Sequence, residues 1–250
     1  SIPIPPKEIQ ERIVEILDKQ AELTAELTAE LTMRKQQYEY YRNKLLTFDP
    51  ATVEEKTVEE IFELRNGYTP SKSNSEFWED GDIPWFRMED IRTNGRILAD
   101  SFQHITKKAI KGKGLFEANS FILATTATIG EHALVIVDSL ANQQFTNLRI
   151  RKSLANDINI KYMFYYFFII DEWCKLNTNA SSFASVDMSK LKRLKIPIPP
   201  KEIQERIVEI LDKFEKLTTS YQDGLPAEIR AREQQYEYYR NKLLTFERKK

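Results

Sequence analysis

The sequence is poor in the residue types from which many metal and redox sites are built. Among 250 residues there is one cysteine, Cys174, and there are two histidines, His104 and His132. One cysteine excludes a disulfide within the chain and a cysteine-based zinc site, and it suits the reducing cytoplasm, where we expect the protein to work. The histidines show no ligand spacing. We therefore expect a buried structural thiol, ordinary core or surface histidines, no metal and no cofactor.

Motifs that carry catalysis are also missing. The chain has no GxxxxGK[ST] loop, no GxGxxG segment after a strand, and no Asn/Asp-Pro-Pro-aromatic motif of an amino-methyltransferase. The carboxylates of Asp82, Glu89 and Asp90 resemble a metal nuclease site only loosely, because no Asp…Glu-x-Lys arrangement accompanies them. We expect a non-catalytic chain. A metal nuclease stays as an alternative that magnesium-dependent cleavage by the purified chain would reveal.

Neither the net charge nor a long apolar run indicates a partner. The formal net charge is -1 although 30% of residues are charged, so any binding surface must be a local patch. The most apolar run, residues 162–170, is too short to cross a membrane, and we expect no membrane contact. Residues 1–6 lack both an initiator Met and the basic-then-apolar order of a signal peptide, so we expect the chain to begin inside a longer protein.

An internal repeat organises the chain. Residues 2–19, IPIPPKEIQERIVEILDK, recur unchanged at 196–213, and residues 36–48, QQYEYYRNKLLTF, recur at 234–246. The first block returns 194 residues later and the second 198 residues later, so the spacers between blocks differ by about one helical turn. The chain is therefore a repeat, an insert and a second repeat.

Both copies have the apolar periodicity of coiled-coil helices. In the second copy, steps of four and three residues predict a seam, formed by Ile203, Ile207, Ile210, Phe214, Leu217 and Tyr221. The first spacer is three Ala-Glu-Leu-Thr units, so we expect one helix over residues 7–48, whereas the turn signal at residues 223–226 should break the second. Two equal surfaces could engage two copies of one partner, or each other in antiparallel fashion. We place partner binding on six apolar side chains: Tyr38, Tyr41, Leu45, Tyr236, Tyr239 and Leu243.

The insert, residues 50–195, predicts a separate α+β domain. Short apolar runs at residues 121–124 and 132–137 indicate strands, and residues 145–150 are predicted as a third. Residues 160–176 and 58–64 are predicted as helices. The predicted fold class is α+β, with a globular domain at 50–195 between a first spacer helix at 1–49 and a second at 196–250.

The insert holds local basic and polar patches that could bind DNA. Lysines can attract phosphates, while Asn and Gln can pair with adenine edges. The basic candidates are Lys72, Lys107, Lys108, Lys111, Lys113, Lys190 and Lys192, and the polar candidates are Ser73, Asn74, Thr126, Thr128, Asn142, Gln143 and Gln144. The open alternatives are that the basic runs are solvated faces and that the polar runs are turns. Trp78, Trp85 and Phe86 could stack on bases, but their spacing favours core packing.

Several segments together resemble the specificity subunits of type I restriction-modification systems. They are residues 67–72, 77–78, 81–85, 119–130, 141–144 and 196–208, and the Ala-Glu-Leu-Thr units resemble the spacer repeats of some members. The resemblance implies a target-recognition domain that binds double-stranded DNA and carries methyltransferase subunits, and through them a restriction translocase subunit. A full member has two such domains, each followed by a spacer helix, whereas this chain has one between two spacers. Self-association through the helices and a protein-interaction scaffold without DNA contact remain open.

Overall fold

The computed structural model describes residues 4–112, 114–179, 184–220 and 223–246. The chain divides into two compact units, a globular unit of residues 46–208 and a helical unit of residues 1–45 and 209–250. The α+β fold class with long helices is confirmed. None of the helices in the described ranges has both the length and the apolarity that crossing a membrane requires.

The helical unit consists of α1 (Lys7–Leu45), the later part of α6 (Lys201–Thr219) and α7 (Leu225–Leu244). Towards the end of α1, the ring of Tyr41 stacks on Phe214 of α6 at 5.7 Å between centroids. Nearer its start, Leu23 shares a groove with Arg232 of α7. Since late residues of the first copy lie beside early residues of the second, the two copies run antiparallel. The break between α6 and α7 agrees with the predicted turn.

The predicted seam of α6 is buried only in part. Ile207 is buried, whereas Ile203 and Leu217 are exposed, and Val208 beside the seam is buried as well. Tyr221 lies outside the described residues. The apolar periodicity therefore identified the helix correctly, and the buried face overlaps the predicted seam without following it to both ends.

The globular unit is built on two sheets. Its elements are β1 (Glu55–Thr57), α2 (Val58–Ile61), β2 (Phe62–Asn66), β3 (Ile83–Phe86), α3 (Met88–Asn94), β4 (Ile97–Leu98), β5 (His104–Ile105), β6 (Ser120–Ala124), β7 (His132–Val135), β8 (Leu140–Ala141), β9 (Phe145–Ile150), α4 (Ile160–Leu176), β10 (Thr178–Asn179), β11 (Ser185–Val186), α5 (Met188–Arg193) and β12 (Lys195–Pro197). The larger sheet has the order β2-β9-β6-β7-β4 and the smaller one the order β5-β3-β8, while β1 pairs with β12 and β10 with β11. The strands predicted at 121–124 and 145–150 are confirmed, the strand predicted at 132–137 ends at Val135, and the helix at 160–176 is confirmed.

The central strand β6 is buried on both faces, which explains its unbroken apolar run. On one face Phe121 stacks on Phe167 of α4, at 4.4 Å between ring centroids. On the other face Ile122 joins a second cluster with Trp85 and Phe145. The larger sheet therefore lies between α4 and this second cluster.

The helix predicted at residues 58–64 is wrong over its second half. α2 begins with a capping box in which Thr57 and Glu60 cap each other, but it ends at Ile61. Phe62 turns extended because β2 pairs with β9 over five residues, from Phe62 opposite Ile150 to Asn66 opposite Thr146. Long-range pairing overrides the local helical preference here.

The duplicated block lies in different surroundings in its two copies. Gln204 is fully buried, and its amide nitrogen donates to the carbonyl oxygens of Pro199 (2.8 Å) and Asp157 (2.9 Å). Its amide oxygen accepts the backbone N–H of Asn159 at 2.8 Å. The equivalent Gln10 is exposed and donates to the equivalent Pro5 carbonyl at 2.7 Å. The local hydrogen bond is the same in both copies, whereas the long-range bonds occur only in the second.

Candidate nucleic-acid interface

Polar loops meet at the edge of the larger sheet where β2 ends and β9 begins. The backbone N–H of Gly67, directly after β2, donates to the Phe145 carbonyl at 2.8 Å, and that of Tyr68 donates to the Ala141 carbonyl at 2.9 Å. A Cβ at position 67 would lie 2.2 Å from the carbonyl oxygen of Asn142. Only glycine allows this approach. Residues 67–71, which we call the strap, are therefore held against the loop before β9.

Two indole groups hold the strap through hydrogen bonds to its carbonyl oxygens. Trp85 Nε1 donates to the Tyr68 carbonyl and Trp78 Nε1 to the Ser71 carbonyl, each at 3.0 Å. The two rings pack edge to face at 5.0 Å. Trp85 is 2% and Phe86 0% exposed, so the interpretation of both as core residues is confirmed. Trp78 is half-buried and has the same structural role.

The strap is also tied to a turn that carries exposed lysines. The Tyr68 hydroxyl donates to the Ala109 carbonyl at 3.1 Å and accepts the backbone N–H of Lys111 at 2.8 Å. Residues 107–112 form this lysine turn. Lys107, Lys108 and Lys111 are exposed on it, and Lys108 pairs with Glu76 at 3.1 Å. Such exposed pairs are weak. The predicted Lys113 lies outside the described residues.

Some polar side chains of the segment after the strap form hydrogen bonds within that segment. The Ser71 and Ser73 hydroxyls lie 2.8 Å apart. Asn74 accepts the backbone N–H of Glu76 at 3.2 Å and so caps a 3₁₀ turn at Ser75–Phe77. Lys72 is exposed beside them. Of this predicted group, Lys72 and Ser73 have the side chains most open to a ligand.

The amide triplet before β9 contains one outward side chain and two that bond to each other. Gln144 N–H donates to Asn142 Oδ1 at 3.0 Å, and Asn142 Nδ2 donates to Gln144 Oε1 at 3.3 Å. Both residues are half-buried, whereas Gln143 is exposed and accepts from the Thr69 hydroxyl at 2.5 Å. Gln143 is therefore the amide that the loop presents to solvent.

The threonine turn after β6 borders the same face. Thr125 N–H donates to the Gln144 carbonyl at 2.9 Å, and Ala127 adopts a left-handed φ of 62°. Thr126 is half-buried and forms a bridge with Ser185. The Thr128 hydroxyl is buried and has no hydrogen-bond partner among the described residues. A base edge could reach it only if the turn moved.

Lys190 and Lys192 are exposed on α5, a short helix that begins beside the threonine turn. Val186, just before α5, donates its N–H to the Thr125 carbonyl at 2.9 Å. Asp187 caps α5 by accepting the backbone N–H groups of Ser189 and Lys190, each at 3.1 Å. After the end of α5, the Leu194 carbonyl accepts the N–H of Val58 at 2.9 Å. The two lysines thus lie on an element that runs from the threonine turn toward the start of β2.

Two residues at the loop face were not among the predicted site residues. Thr69 contacts Gln143 directly. Arg87 follows β3, and the residue before it, Phe86, accepts the N–H of Asn142 at 3.0 Å. The guanidinium of Arg87 pairs with the carboxylate of Glu89 at 2.9 Å. The sequence offers no local signal for either, because the contacts that place them at the loop face join segments that are far apart in the chain.

Both histidines have structural partners. His132 is fully buried between aromatic rings of α4, and its Nδ1 lies 2.7 Å from the Asp171 carboxylate, which Arg96 also approaches at 3.3 Å. His104 Nε2 lies 2.7 Å from Asp100. The backbone N–H of Ser101 and then the His104 side chain lower the pKa of Asp100. No cluster of metal-binding side chains is found in the part of the chain that the structure describes.

The duplicated tyrosines of the helical unit fall into two groups. Tyr38 is buried, with its ring 6.4 Å from Phe214, and burial raises its pKa. The half-buried Tyr236 lines a groove against the Ala-Glu-Leu-Thr face of α1. Tyr40 and Tyr238, by contrast, are 60% and 59% exposed. Each packs edge to face on the next tyrosine, at 5.3 Å in both copies. Leu45, Tyr239 and Leu243, also predicted to bind a partner, are half-buried.

Residues 50–231 match the family described as the type I restriction modification DNA specificity domain. The chain belongs to this family. It is 52% identical over 213 residues to the type I restriction enzyme EcoprrI specificity subunit of Escherichia coli, a match that covers 82% of this chain and 53% of that protein. It is 43% identical over 249 residues to the EcoR124I/EcoR124II specificity subunit of the same species, covering 95% and 59%.

The fold agrees with the family. The crystal structure of an HsdS subunit from Thermoanaerobacter tengcongensis superposes with a TM-score of 0.60 at 20% identity, covering 95% of this chain and 59% of that one. The chain spans between half and two thirds of the length of these relatives. The resemblance drawn from the sequence is confirmed.

Proposed function

We propose that the globular unit reads one half of a split DNA target as part of a type I restriction-modification assembly. The observation that carries the proposal is the convergence of the strap, the lysine turn and the amide triplet at one sheet edge. Exposed Lys107 and Lys111 supply positive charge for phosphates, and Gln143 supplies a base-reading amide next to them. Family membership supports the same function.

Competition binding tests this proposal against a scaffold that does not touch DNA. The purified protein, together with the methyltransferase subunit of its system, is bound to a labelled duplex that carries the target found by methylation mapping. We expect an unlabelled target to compete far better than a scrambled duplex, because specific sites bind typically 10³- to 10⁷-fold more tightly than non-specific DNA. Equal competition by both duplexes would favour the scaffold.

We further propose that the helical unit docks methyltransferase subunits, and through them a restriction translocase subunit. The buried Tyr38 cannot offer its ring to a partner without unpacking from Phe214. We therefore propose that the docking surface is formed by the exposed Tyr40 and Tyr238. Lys44 lies 5.8 Å above the Tyr40 ring and Lys242 lies 5.7 Å above the Tyr238 ring, so the two copies present the same aromatic and cationic surface.

Single and double tyrosine variants test this docking surface. Exposed aromatic residues often dominate interfaces. We expect Tyr40→Ser and Tyr238→Ser each to release one methyltransferase subunit and the double variant to release both, as measured by mass photometry of the assembled complex. Met33→Ser, which changes another exposed apolar residue of α1, is the matched control. Full occupancy in the double variant would place docking elsewhere.

A third part of the proposal is that α1 sets the distance between half-sites. At 39 residues α1 is about 58 Å long, and each Ala-Glu-Leu-Thr unit adds about 6 Å. At about 3.4 Å per base pair, one unit corresponds to one or two unread base pairs. In a subunit with two recognition domains, deleting residues 25–28 should shorten the gap and leave both half-sites unchanged. A methylation map with altered half-sites and the original gap would contradict this.

Finally, we propose that the chain works in the cytoplasm without a catalytic centre of its own, and that it could pair with itself through its helices. If two copies pair about a two-fold axis, the split target they read must be palindromic. Cleavage or methyl transfer by the purified chain alone would contradict the non-catalytic part. A map with an asymmetric target would exclude a two-fold pair as the reading unit.

A further inference from the structure

We propose that Thr69 is a positioning residue for base recognition, because its hydroxyl orients the Gln143 amide toward an adenine in the half-site. The proposal rests on the DNA-reading function and names the side chain that prepares the reader. Thr69 Oγ1 donates to Gln143 Oε1 at 2.5 Å, across 74 residues of sequence. This hydrogen bond connects the strap to the amide triplet at the point where both are open to solvent.

Thr69 can orient another side chain because its own backbone is fixed. The carbonyl before it accepts from Trp85 Nε1, and the Ser71 carbonyl two residues after it accepts from Trp78 Nε1, both at 3.0 Å. The following Pro70 is buried and restricts the conformation of Thr69. The threonine is therefore held on both sides by groups that belong to the core cluster or pack against it.

Gln143 is the amide of the triplet that remains available. Asn142 and Gln144 use their side chains on each other and on the loop backbone. Among the described residues, the Gln143 side chain makes one hydrogen bond, which uses one lone pair of Oε1, so the second lone pair and two N–H donors stay available. Those groups match the donor and acceptor that adenine presents in the major groove at N6 and N7.

The Thr69 hydroxyl restricts the rotation that the amide of an isolated glutamine would have. The terminal torsion of a glutamine is broad, so an exposed amide samples many orientations before it meets a base. A fixed donor at Oε1 restricts that torsion in the unbound protein. Preorganised groups lose less entropy on binding, and this increases the difference between the correct base and the wrong one.

The test compares base preference rather than overall affinity. The protein, assembled with its methyltransferase subunits, selects from a duplex library in which each half-site position is varied. Thr69→Val removes the hydroxyl at nearly constant volume, Thr69→Ser keeps it, and Gln143→Ala removes the reader. Thr52→Val, which removes a hydroxyl that donates to the Asp49 carbonyl elsewhere in the globular unit, is the matched control.

We expect Gln143→Ala to reduce the preference for adenine at one position by about 5- to 150-fold, the range for one bidentate contact. Thr69→Val should reduce preference at that same position, and the double variant should lose no more than Gln143→Ala alone. Thr69→Ser and Thr52→Val should keep the original profile.

Three results would overturn the proposal: a uniform loss of affinity for all duplexes in Thr69→Val, an unchanged profile, or a loss at a position other than that of Gln143→Ala. A base other than adenine at the shared position would overturn the assignment of the base. If the unaltered assembly itself shows no sequence preference, the DNA-reading function fails, and the two failures are thereby distinguished.

Discussion

Replacing one glutamine in each copy of the duplicated block should have very different effects on stability. Gln10 and Gln204 stand in the same 18-residue sequence, and each donates to the proline carbonyl five residues earlier. Only Gln204 is buried, and only Gln204 also bonds to Asp157 and Asn159. The pair is an internal control in which the sequence is constant and the surroundings change.

The magnitude follows from the groups that each substitution leaves unpaired. Gln204→Ala would remove the hydrogen bonds that the glutamine amide makes to two carbonyl oxygens, those of Pro199 and Asp157, and to the N–H of Asn159. Each of these hydrogen bonds contributes about 1 kcal/mol. We therefore expect a loss of about 3 kcal/mol in the free energy of unfolding of the globular unit. Gln10→Ala removes one solvent-exposed hydrogen bond, and we expect a loss below about 0.5 kcal/mol.

Urea unfolding followed by tryptophan fluorescence measures this difference. All three tryptophans, Trp78, Trp85 and Trp173, belong to the globular unit, so their emission reports its unfolding. The midpoint should fall clearly for Gln204→Ala and stay nearly constant for Gln10→Ala, with the same slope in both. Equal midpoint shifts for the two variants would refute the claim that the buried hydrogen bonds of Gln204 stabilise the globular unit.

Three further predictions concern charge, backbone and thiol chemistry. Replacing Lys107 and Lys111 together by Glu should weaken binding to every duplex and lower the salt dependence of binding by about one counterion per lost contact, measured by titration at several salt concentrations. Gly67→Ala should unfold the strap and lower the melting temperature more than Gly95→Ala, because a Cβ at 67 meets a carbonyl oxygen, whereas a Cβ at 95 meets nothing within 4 Å and costs only the backbone strain of a positive φ of 82°, about 1–3 kcal/mol. Burial, followed by the nearby Asp171, raises the pKa of the Cys174 thiol to about 12, so a thiol reagent at pH 8 should label the protein only after denaturation.

A specific outcome would contradict each of these three predictions. Loss of binding to one sequence alone in the lysine variant would mean that these side chains read bases. Equal melting temperatures for the two alanine variants would mean that the strap tolerates displacement from the loop before β9. Rapid labelling of the native thiol would mean that α4 opens locally.

The elements with a strong local pattern were predictable, and those that depend on distant partners were not. The helix at 160–176 and the strand at 121–124 follow from apolar runs of the right length. Residues 62–64 were predicted as helix because nothing local indicates that β2 pairs with β9, whose partner residues lie 80 to 88 positions further along the chain. The seam of α6 was predicted in part, since Ile207 is buried but the burial of Val208 beside it does not follow from the periodicity.

The candidate site was predicted as a set of residue types but not as an arrangement. The sequence offered Asn142, Gln143 and Gln144 as equivalent readers, and only the hydrogen bonds within the loop separate one from the other two. Thr69 was missed because its contact lies 74 residues away. Lys190 and Lys107 looked alike as members of basic runs, yet Lys107 lies on the turn that the Tyr68 hydroxyl holds and Lys190 lies on α5. Composition cannot make that distinction.

Identical sequence yields identical surface only where the structure is determined locally, and this limits what the duplication can do. Tyr40 and Tyr238 have the same geometry toward their neighbours because residues one and four positions apart in a helix are placed by the helix itself. Tyr38 and Tyr236 differ because one packs on Phe214 and the other lines a groove. If two copies of one partner bind this chain equally, they must use the first pair. Unequal affinities would instead indicate that the second pair takes part.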